Sequence, residues 1–124
     1  MQLKMYCEQV ISHTFGLKGI MITDCEGSVL LSLACDDIPE SMMNVAVSML
    51  YTISSDLSGK FGLGKNIKIT QKFQSYNLLQ KNYNPFILTL ICDPDAPTEG
   101  LWAVEEREFE QVLFELLKDH NKSK

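Results

Sequence analysis

The longest uncharged stretch of the chain runs from Ser41 to Ser55, where apolar residues are interleaved with Asn, Ser and Thr. Apolar residues recur at helical spacing along it, and the stripe they form comprises Met42, Ala46, Met49, Ile53 and Leu57. This pattern predicts a central helix that begins near Pro39 and ends at Gly59 or Gly62. A surface helix normally shows Lys and Glu to water on its polar side. We therefore expect this helix to be covered on more than one side, by the domain core alone or by the core and a partner.

One helix and one β-hairpin are predicted ahead of the central helix. The first helix, which Gly16 can end, carries apolar residues at helical spacing, namely Leu3, Tyr6, Cys7, Val10 and Ile11. Gly19–Thr23 and Val29–Leu33 have strand composition and flank Asp24–Gly27, which is typical of a tight turn. The chain is therefore expected to open with a helix followed by two antiparallel strands.

Three strands and a final helix are predicted after the central helix. Apolar and polar residues alternate in Ile67–Lys72 and again in Tyr76–Lys81, as in half-exposed strands. Phe86–Cys92 is almost wholly apolar, which predicts a central strand covered on both faces. Thr98 can cap the last helix. The order α-β-β-α-β-β-β-α predicts an α+β fold, with a five-stranded, mostly antiparallel sheet and helices on both faces, in a single domain over residues 1–124.

Charge is unevenly distributed along a chain whose net charge is −5. The segment between Asp56 and Asp93 contains no acidic residue and carries five lysines, namely Lys60, Lys65, Lys68, Lys72 and Lys81. These lysines could protect an exposed strand edge from aggregation, or they could steer an acidic protein partner, and the two roles are compatible. The acidic balance of the whole chain argues against nucleic acid as a partner.

Motifs for catalysis or cofactor binding are not found. The residues Gly59–Lys65 lack the spacing of a phosphate-binding loop. No paired cysteine spacing occurs, so reduced structural thiols are expected, with Cys92 the one thiol worth considering as a nucleophile. Trp102 is expected to anchor the core. The acidic residues of the last helix are expected to face water, namely Glu105, Glu106, Glu108, Glu115 and Asp119. No enzyme, cofactor, metal site, signal peptide or membrane-spanning segment is indicated.

The helix-to-strand corner Asp56–Asn66, together with the order of elements, resembles the roadblock/dynein-light-chain superfamily. Within it, the chain is most similar to the MEK-partner subunits of the Ragulator (LAMTOR) scaffold. Further positions that carry the resemblance are Asp24, Gly27, Pro39, Glu40, Tyr76, Pro85 and Gly100.

This resemblance implies a domain that binds no cofactor, catalyses nothing and pairs with a sister roadblock subunit. Pairing would use the central helix and the strand after it, so that one sheet extends across both chains. The expected interface residues are Asn44, Val47, Ser48, Tyr51, Thr52, Ser55, Lys65, Ile67, Lys68, Ile69, Thr70, Gln71 and Lys72.

The resemblance also implies a location and a set of larger partners. A lipidated subunit would hold the pair at the cytoplasmic face of the late endosome or lysosome, without direct membrane insertion by this chain. There the pair would help recruit Rag GTPases for mTOR-complex signalling and scaffold the kinases MEK and ERK.

Two other functions are open on a similar fold. One is a homodimeric module that regulates a GTPase or senses a small ligand, and the other is a dynein-associated light chain. A buried pocket beneath the central helix would favour the ligand sensor. If the chain binds a second copy of itself as tightly as it binds another subunit, either of these two functions, each as a homodimer, is favoured.

Overall fold

Two helices and five strands make up the part of the protein that this computed structural model describes, which is residues 3–24, 28–41, 68–83 and 86–122. In chain order they are α1 Leu3–His13, β1 Leu17–Asp24, β2 Val29–Ala34, β3 Lys68–Lys72, β4 Asn77–Tyr83, β5 Phe86–Cys92 and α2 Thr98–Lys122. The backbone is also helical at Glu40 and Ser41, where the predicted central helix begins. The rest of that predicted helix and the corner after it lie outside the described residues.

The five strands form one antiparallel sheet in the order β2-β1-β5-β4-β3. All seven residues of the central strand β5 are buried, as the continuous apolar run predicts. The two hairpins, β1–β2 and β4–β5, lie side by side because β1 pairs with β5, and β3 pairs with the other side of β4. The predicted α+β class with a mostly antiparallel five-stranded sheet is confirmed, and β2 and β3 are its two edges.

The main core lies between the sheet and the two helices, which pack on the same face. It joins buried residues of α1 and α2 to one set of alternating strand residues, and its members include Cys7, Val10, Ile20, Ile22, Leu79, Leu88, Leu90, Phe109 and Leu113. Each fully buried side chain of this kind stabilises the fold by roughly 1.5–3 kcal/mol. α1 and α2 thus depend on one shared apolar layer for their attachment.

The opposite face of the sheet is also buried in its centre. Met21, Leu78 and Ile91 are at most 1 % exposed there and form a second cluster with Ile38, against which Tyr76 packs. Because neighbouring residues of a strand point to opposite faces, this cluster uses the positions that alternate with those of the main core. Helices are predicted on both faces of the sheet, and the third predicted helix, the central one, lies outside the described residues beyond Ser41.

Candidate partner interface

β3 is an edge strand whose only neighbour in the described sheet is β4. The Phe73 N–H donates to the Tyr76 carbonyl oxygen at 2.9 Å, which makes these two residues a hydrogen-bonded pair. Hydrogen-bonded and non-hydrogen-bonded pairs alternate along an antiparallel ladder. The main-chain N–H and C=O groups at the alternate positions of β3 therefore point away from β4, and these positions are Lys68, Thr70 and Lys72. The main chain of an added strand could form hydrogen bonds with these outward groups.

The side chains of β3 divide between the two faces of the sheet. Ile69 and Gln71 are half-buried and share a face with their β4 partners Gln80 and Leu78. The Gln71 Oε1 atom is buried and accepts no hydrogen bond from the described residues. Lys72 is exposed. The edge is thus apolar or uncharged on the face away from α2.

Trp102 connects α2 to this edge strand. Its Nε1–H donates a hydrogen bond to Thr70 Oγ1 at 3.0 Å, and its ring packs against the main core. The prediction that Trp102 anchors the core is confirmed, but the bond to an edge residue has no signal in the sequence. Since Thr70 also presents main-chain groups outward, this bond helps hold the strand in the position that pairing would need.

A buried ion pair lies beneath α2 beside the edge hairpin. Lys81 Nζ is 3.3 Å from Glu105 Oε1, and the two side chains are 7 % and 0 % exposed. The Tyr83 hydroxyl donates to the second carboxylate oxygen of Glu105, and Lys81 Nζ lies 4.9 Å from the centre of the Tyr83 ring. Burial, and then the bond to Glu105, raises the pKa of Tyr83. The prediction that Glu105 faces water is wrong, and Lys81 does not contribute to an exposed basic surface.

The structure brings five of the thirteen predicted interface residues together, and all five form β3. The other eight predicted interface residues lie outside the described residues, and they are Asn44, Val47, Ser48, Tyr51, Thr52, Ser55, Lys65 and Ile67. The interface therefore stays a prediction.

A shallow groove lies between α1 and α2. It has a volume of about 310 Å³ and is lined by Tyr6, Gln9, Val10, His13, Thr14, Arg107 and Glu108. At its side the Tyr6 hydroxyl donates to Glu108 Oε2 at 2.6 Å and to the Glu108 carbonyl at 2.8 Å. Burial, then this bond, raises the pKa of Tyr6 to about 12, and the bond lowers the pKa of Glu108. The ligand-sensor alternative would need a pocket beneath the central helix, which lies outside the described residues.

The two buried thiols among the described residues, those of Cys7 and Cys92, are poor nucleophiles. Burial raises the pKa of Cys7 to about 11, and burial together with the nearby Asp93 carboxylate raises the pKa of Cys92 to about 12. At neutral pH both therefore stay protonated, and a thiol reacts only as its thiolate. No cluster of three or more metal-ligating side chains occurs within the described ranges. Neither α1 nor α2, the two helices described in full, is long and apolar enough to cross a membrane.

Comparison with solved structures shows the same fold in the roadblock group. The Roadblock/LC7 domain from Streptomyces avermitilis superimposes with a TM-score of 0.73 at 16 % identity, over 94 % of this chain and 99 % of that one. The gliding protein MglB from Thermus thermophilus superimposes with a TM-score of 0.65 at 15 % identity, over 89 % and 87 % of the two chains. The resemblance to the roadblock fold is thereby confirmed.

Sequence comparison finds relatives along nearly the whole chain. The Ragulator complex protein LAMTOR3 of Danio rerio is 29 % identical over 114 residues, which are 92 % of this chain and 91 % of the relative. LAMTOR3 of Rattus norvegicus is 28 % identical over 116 residues, 94 % and 93 % of the two chains. The profile of the family described as "Mitogen-activated protein kinase kinase 1 interacting" matches residues 1–119. The chain belongs to this family.

Proposed function

We propose that the protein is a scaffold subunit of a Ragulator-type complex and works as half of a heterodimer with a sister roadblock subunit. It is not an enzyme, in keeping with its fold and its LAMTOR3 relatives. Residues 1–124 would form one roadblock-like domain. The pair would form through β3 and through the central helix predicted from Pro39 onward.

The observation that carries the proposal is that β3 is an edge of the sheet formed by the described strands. Its outward main-chain groups are those of Lys68, Thr70 and Lys72, and pairing by strand addition gives affinity through such groups. The uncharged stretch Ser41–Ser55 adds a second reason, because an uncharged helix beside this edge would leave apolar side chains wet without a partner. One continuous interface would cover both the outward main-chain groups of β3 and the apolar side chains of the predicted helix.

The family and the relatives support a proposal about larger partners. The family description names interaction with mitogen-activated protein kinase kinase 1, and the relatives are named as Ragulator subunits. We therefore propose that the pair is held at the lysosome or late endosome by a lipidated subunit. There it would support the recruitment of Rag GTPases and mTOR-complex signalling, and would scaffold MEK and ERK. The chain itself would not insert into the membrane.

Co-expression with each roadblock-domain protein of the native cell tests the pairing. We expect one sister subunit to form a one-to-one complex in light scattering and to raise the soluble yield of the chain. The tagged chain should then co-fractionate with lysosomal membranes only while the lipidated subunit is present. A stable monomer that recovers no roadblock partner would contradict the proposal. A tight homodimer would favour the homodimeric alternatives instead.

A further inference from the structure

The second edge of the sheet, β2, is exposed and entirely uncharged. Its sequence Val29–Ala34 contains five apolar residues and one serine, and Val29 and Leu30 are 51 % and 53 % exposed. Natural edge strands are usually protected by lysine, proline or a covering element. The opposite edge β3 carries lysines at both its ends, whereas β2 has none. β2 is therefore the less protected of the two edges.

The register of β2 shows which of its groups are available. The Cys35 N–H donates to the Lys18 carbonyl at 2.8 Å, directly beyond the paired residues Gly19 and Ala34. Since pair types alternate along the ladder, the main-chain N–H and C=O groups of Ser32 and Ala34 point away from β1. Both residues are exposed. The straight half of β2 thus offers two donors and two acceptors in line.

The other half of β2 offers apolar contact in place of a regular ladder. Ile22 pairs with Leu31 and Thr23 pairs with Val29, so Leu30 is the extra residue of a bulge. A bulge bends the strand and interrupts regular pairing at that point. Val29 and Leu30 would therefore contact the side chains of an added segment, while Ser32 and Ala34 would bind its main chain.

Among the described residues near the two ends of β2, acidic side chains outnumber basic ones. No Lys, Arg or His occurs between Lys18 and Lys60. Asp24 lies at the start of β2, where its carboxylate accepts a hydrogen bond from the Ser28 N–H at 2.9 Å. Exposed Asp36 and Asp37 follow the end of β2. Lys18 Nζ lies 3.8 Å from Asp37 Oδ2, which is a long distance for an ion pair. An uncharged strand between acidic ends is complementary to an extended segment with basic ends.

We propose that β2 is a second strand-addition edge, which takes an extended segment of another protein with alternating apolar residues and Lys or Arg at its ends. Because β2 and β3 are at opposite edges of the sheet, both can be occupied at once, and occupation of β2 does not require the pairing proposed for β3. The protein would then connect two different chains through one sheet.

A designed peptide tests this directly with the 124-residue chain. The probe is an acetylated and amidated peptide of alternating Val and Thr with lysines at both ends, and its affinity is measured by fluorescence anisotropy. Ser32→Pro removes an outward N–H and leaves the β1–β2 bonds in place, so we expect about tenfold weaker binding. Ser32→Ala and the β3 variant Lys72→Pro should bind as the wild type does. Thermal unfolding checks that each variant is folded.

A second variant and a second peptide complete the test. Leu30→Lys places a like charge on an exposed position outside the ladder, so it should weaken binding even if Ser32→Pro is poorly folded. A peptide with glutamates in place of the terminal lysines should bind more weakly, and added salt should reduce the difference. Absence of binding to the wild type, or loss of binding in Lys72→Pro but in neither β2 variant, would overturn the proposal. Self-association of the chain that Ser32→Pro abolishes would also overturn it, because a second copy would then be the occupant.

Discussion

Lys81 Nζ lies 3.3 Å from Glu105 Oε1, and this pair is sealed between β4 and α2 with almost no exposure to solvent. Removing one partner of a buried ion pair leaves an uncompensated charge, which is far more costly than losing the pair as a whole. We expect Lys81→Met to lower the free energy of unfolding by roughly 3–5 kcal/mol in urea denaturation.

The double variant Lys81→Met with Glu105→Gln is the matched control. It removes both charges, and the amide oxygen of Gln can still accept the hydrogen bond of Tyr83. Most of the stability should therefore return. If Lys81→Met costs less than about 1 kcal/mol, the range of exposed ion pairs, the pair does not act as a buried clamp.

The same pair shows where prediction from the sequence fell short. Leu101, Glu105, Phe109 and Leu113 are spaced four residues apart, so helical periodicity already places Glu105 in the apolar stripe of α2. Lys81 likewise alternates with buried Leu79 and half-buried Tyr83 on one face of β4. When α2 and β4 each carry one charged residue among their core-facing residues, and the two charges are opposite, a buried ion pair is indicated. The prediction that Glu105 faces water considered only that acidic residues of a terminal helix are usually solvated, and it was wrong because the periodicity of α2 places Glu105 on the core side.

The order of the elements and the sheet were predictable because they depend on local patterns. β2 and β5 begin at the residues that alternation and apolar runs predict. α2 begins at Thr98, but the Leu101 N–H donates to the Pro97 carbonyl at 3.1 Å, so Thr98 is the first residue inside the helix and Pro97 holds the capping position. β4 extends to Tyr83, two residues past the predicted end, where the Tyr83 hydroxyl is fixed by Glu105. Contacts such as Trp102 with Thr70 join residues far apart in sequence, and no periodicity encodes them. The sequence likewise does not show which main-chain groups of β3 point outward, because that depends on the observed register with β4.

The bond between Tyr6 and Glu108 makes stability depend on pH at the acidic end. The Tyr6 hydroxyl lowers the pKa of Glu108 from its ordinary value of 4.5, so Glu108 stabilises the fold above that pH. This contribution should be lost as the pH falls through the lowered pKa of the folded state. In Tyr6→Phe, carbon-detected NMR titration should show a higher Glu108 pKa and a weaker loss of stability on acidification. An unchanged Glu108 pKa in this variant would contradict the assignment.

Gly16 occupies a position where no other residue fits without strain. Its φ is +86°, and a Cβ atom there would lie 2.6 Å from the Cβ of Ala96. We expect Gly16→Ala to destabilise the protein by roughly 1–3 kcal/mol in thermal unfolding. Gly100→Ala is the control, because its Cβ would meet only Pro97 at 3.7 Å, and helical propensity should make it neutral or stabilising. Equal effects of the two changes would show that Gly16 is not constrained.

The hydrogen bond between Trp102 and Thr70 should hold the edge strand against α2. Trp102→Phe keeps an aromatic ring and removes the indole N–H, while Thr70→Val removes the acceptor. Each change should cost about 0.5–1.5 kcal/mol of stability, the usual net value of one hydrogen bond. In a double-mutant cycle the second change should add little to the first. Fully additive costs would mean that the two side chains act independently.

Lys72→Pro is the sharpest test of pairing through β3, because the Lys72 N–H points away from β4 toward the proposed sister strand. Proline removes this donor and is tolerated at a strand edge. The dimer should weaken by roughly 1–3 kcal/mol, the cost of an unmade hydrogen bond that leaves a buried acceptor, while the chain keeps its helix signal in circular dichroism. Lys72→Ala, which loses only the charge, should pair almost normally at physiological salt.

A proline at Ile69 gives the opposite pattern, because the Ile69 N–H points toward β4. It should destabilise the chain itself, with a lower unfolding midpoint even in the absence of a partner. Light scattering and sedimentation equilibrium with the sister subunit separate the two effects. If Lys72→Pro pairs as tightly as Lys72→Ala, the two chains do not join through main-chain bonds of β3. The interface would then have to lie on another surface of the protein.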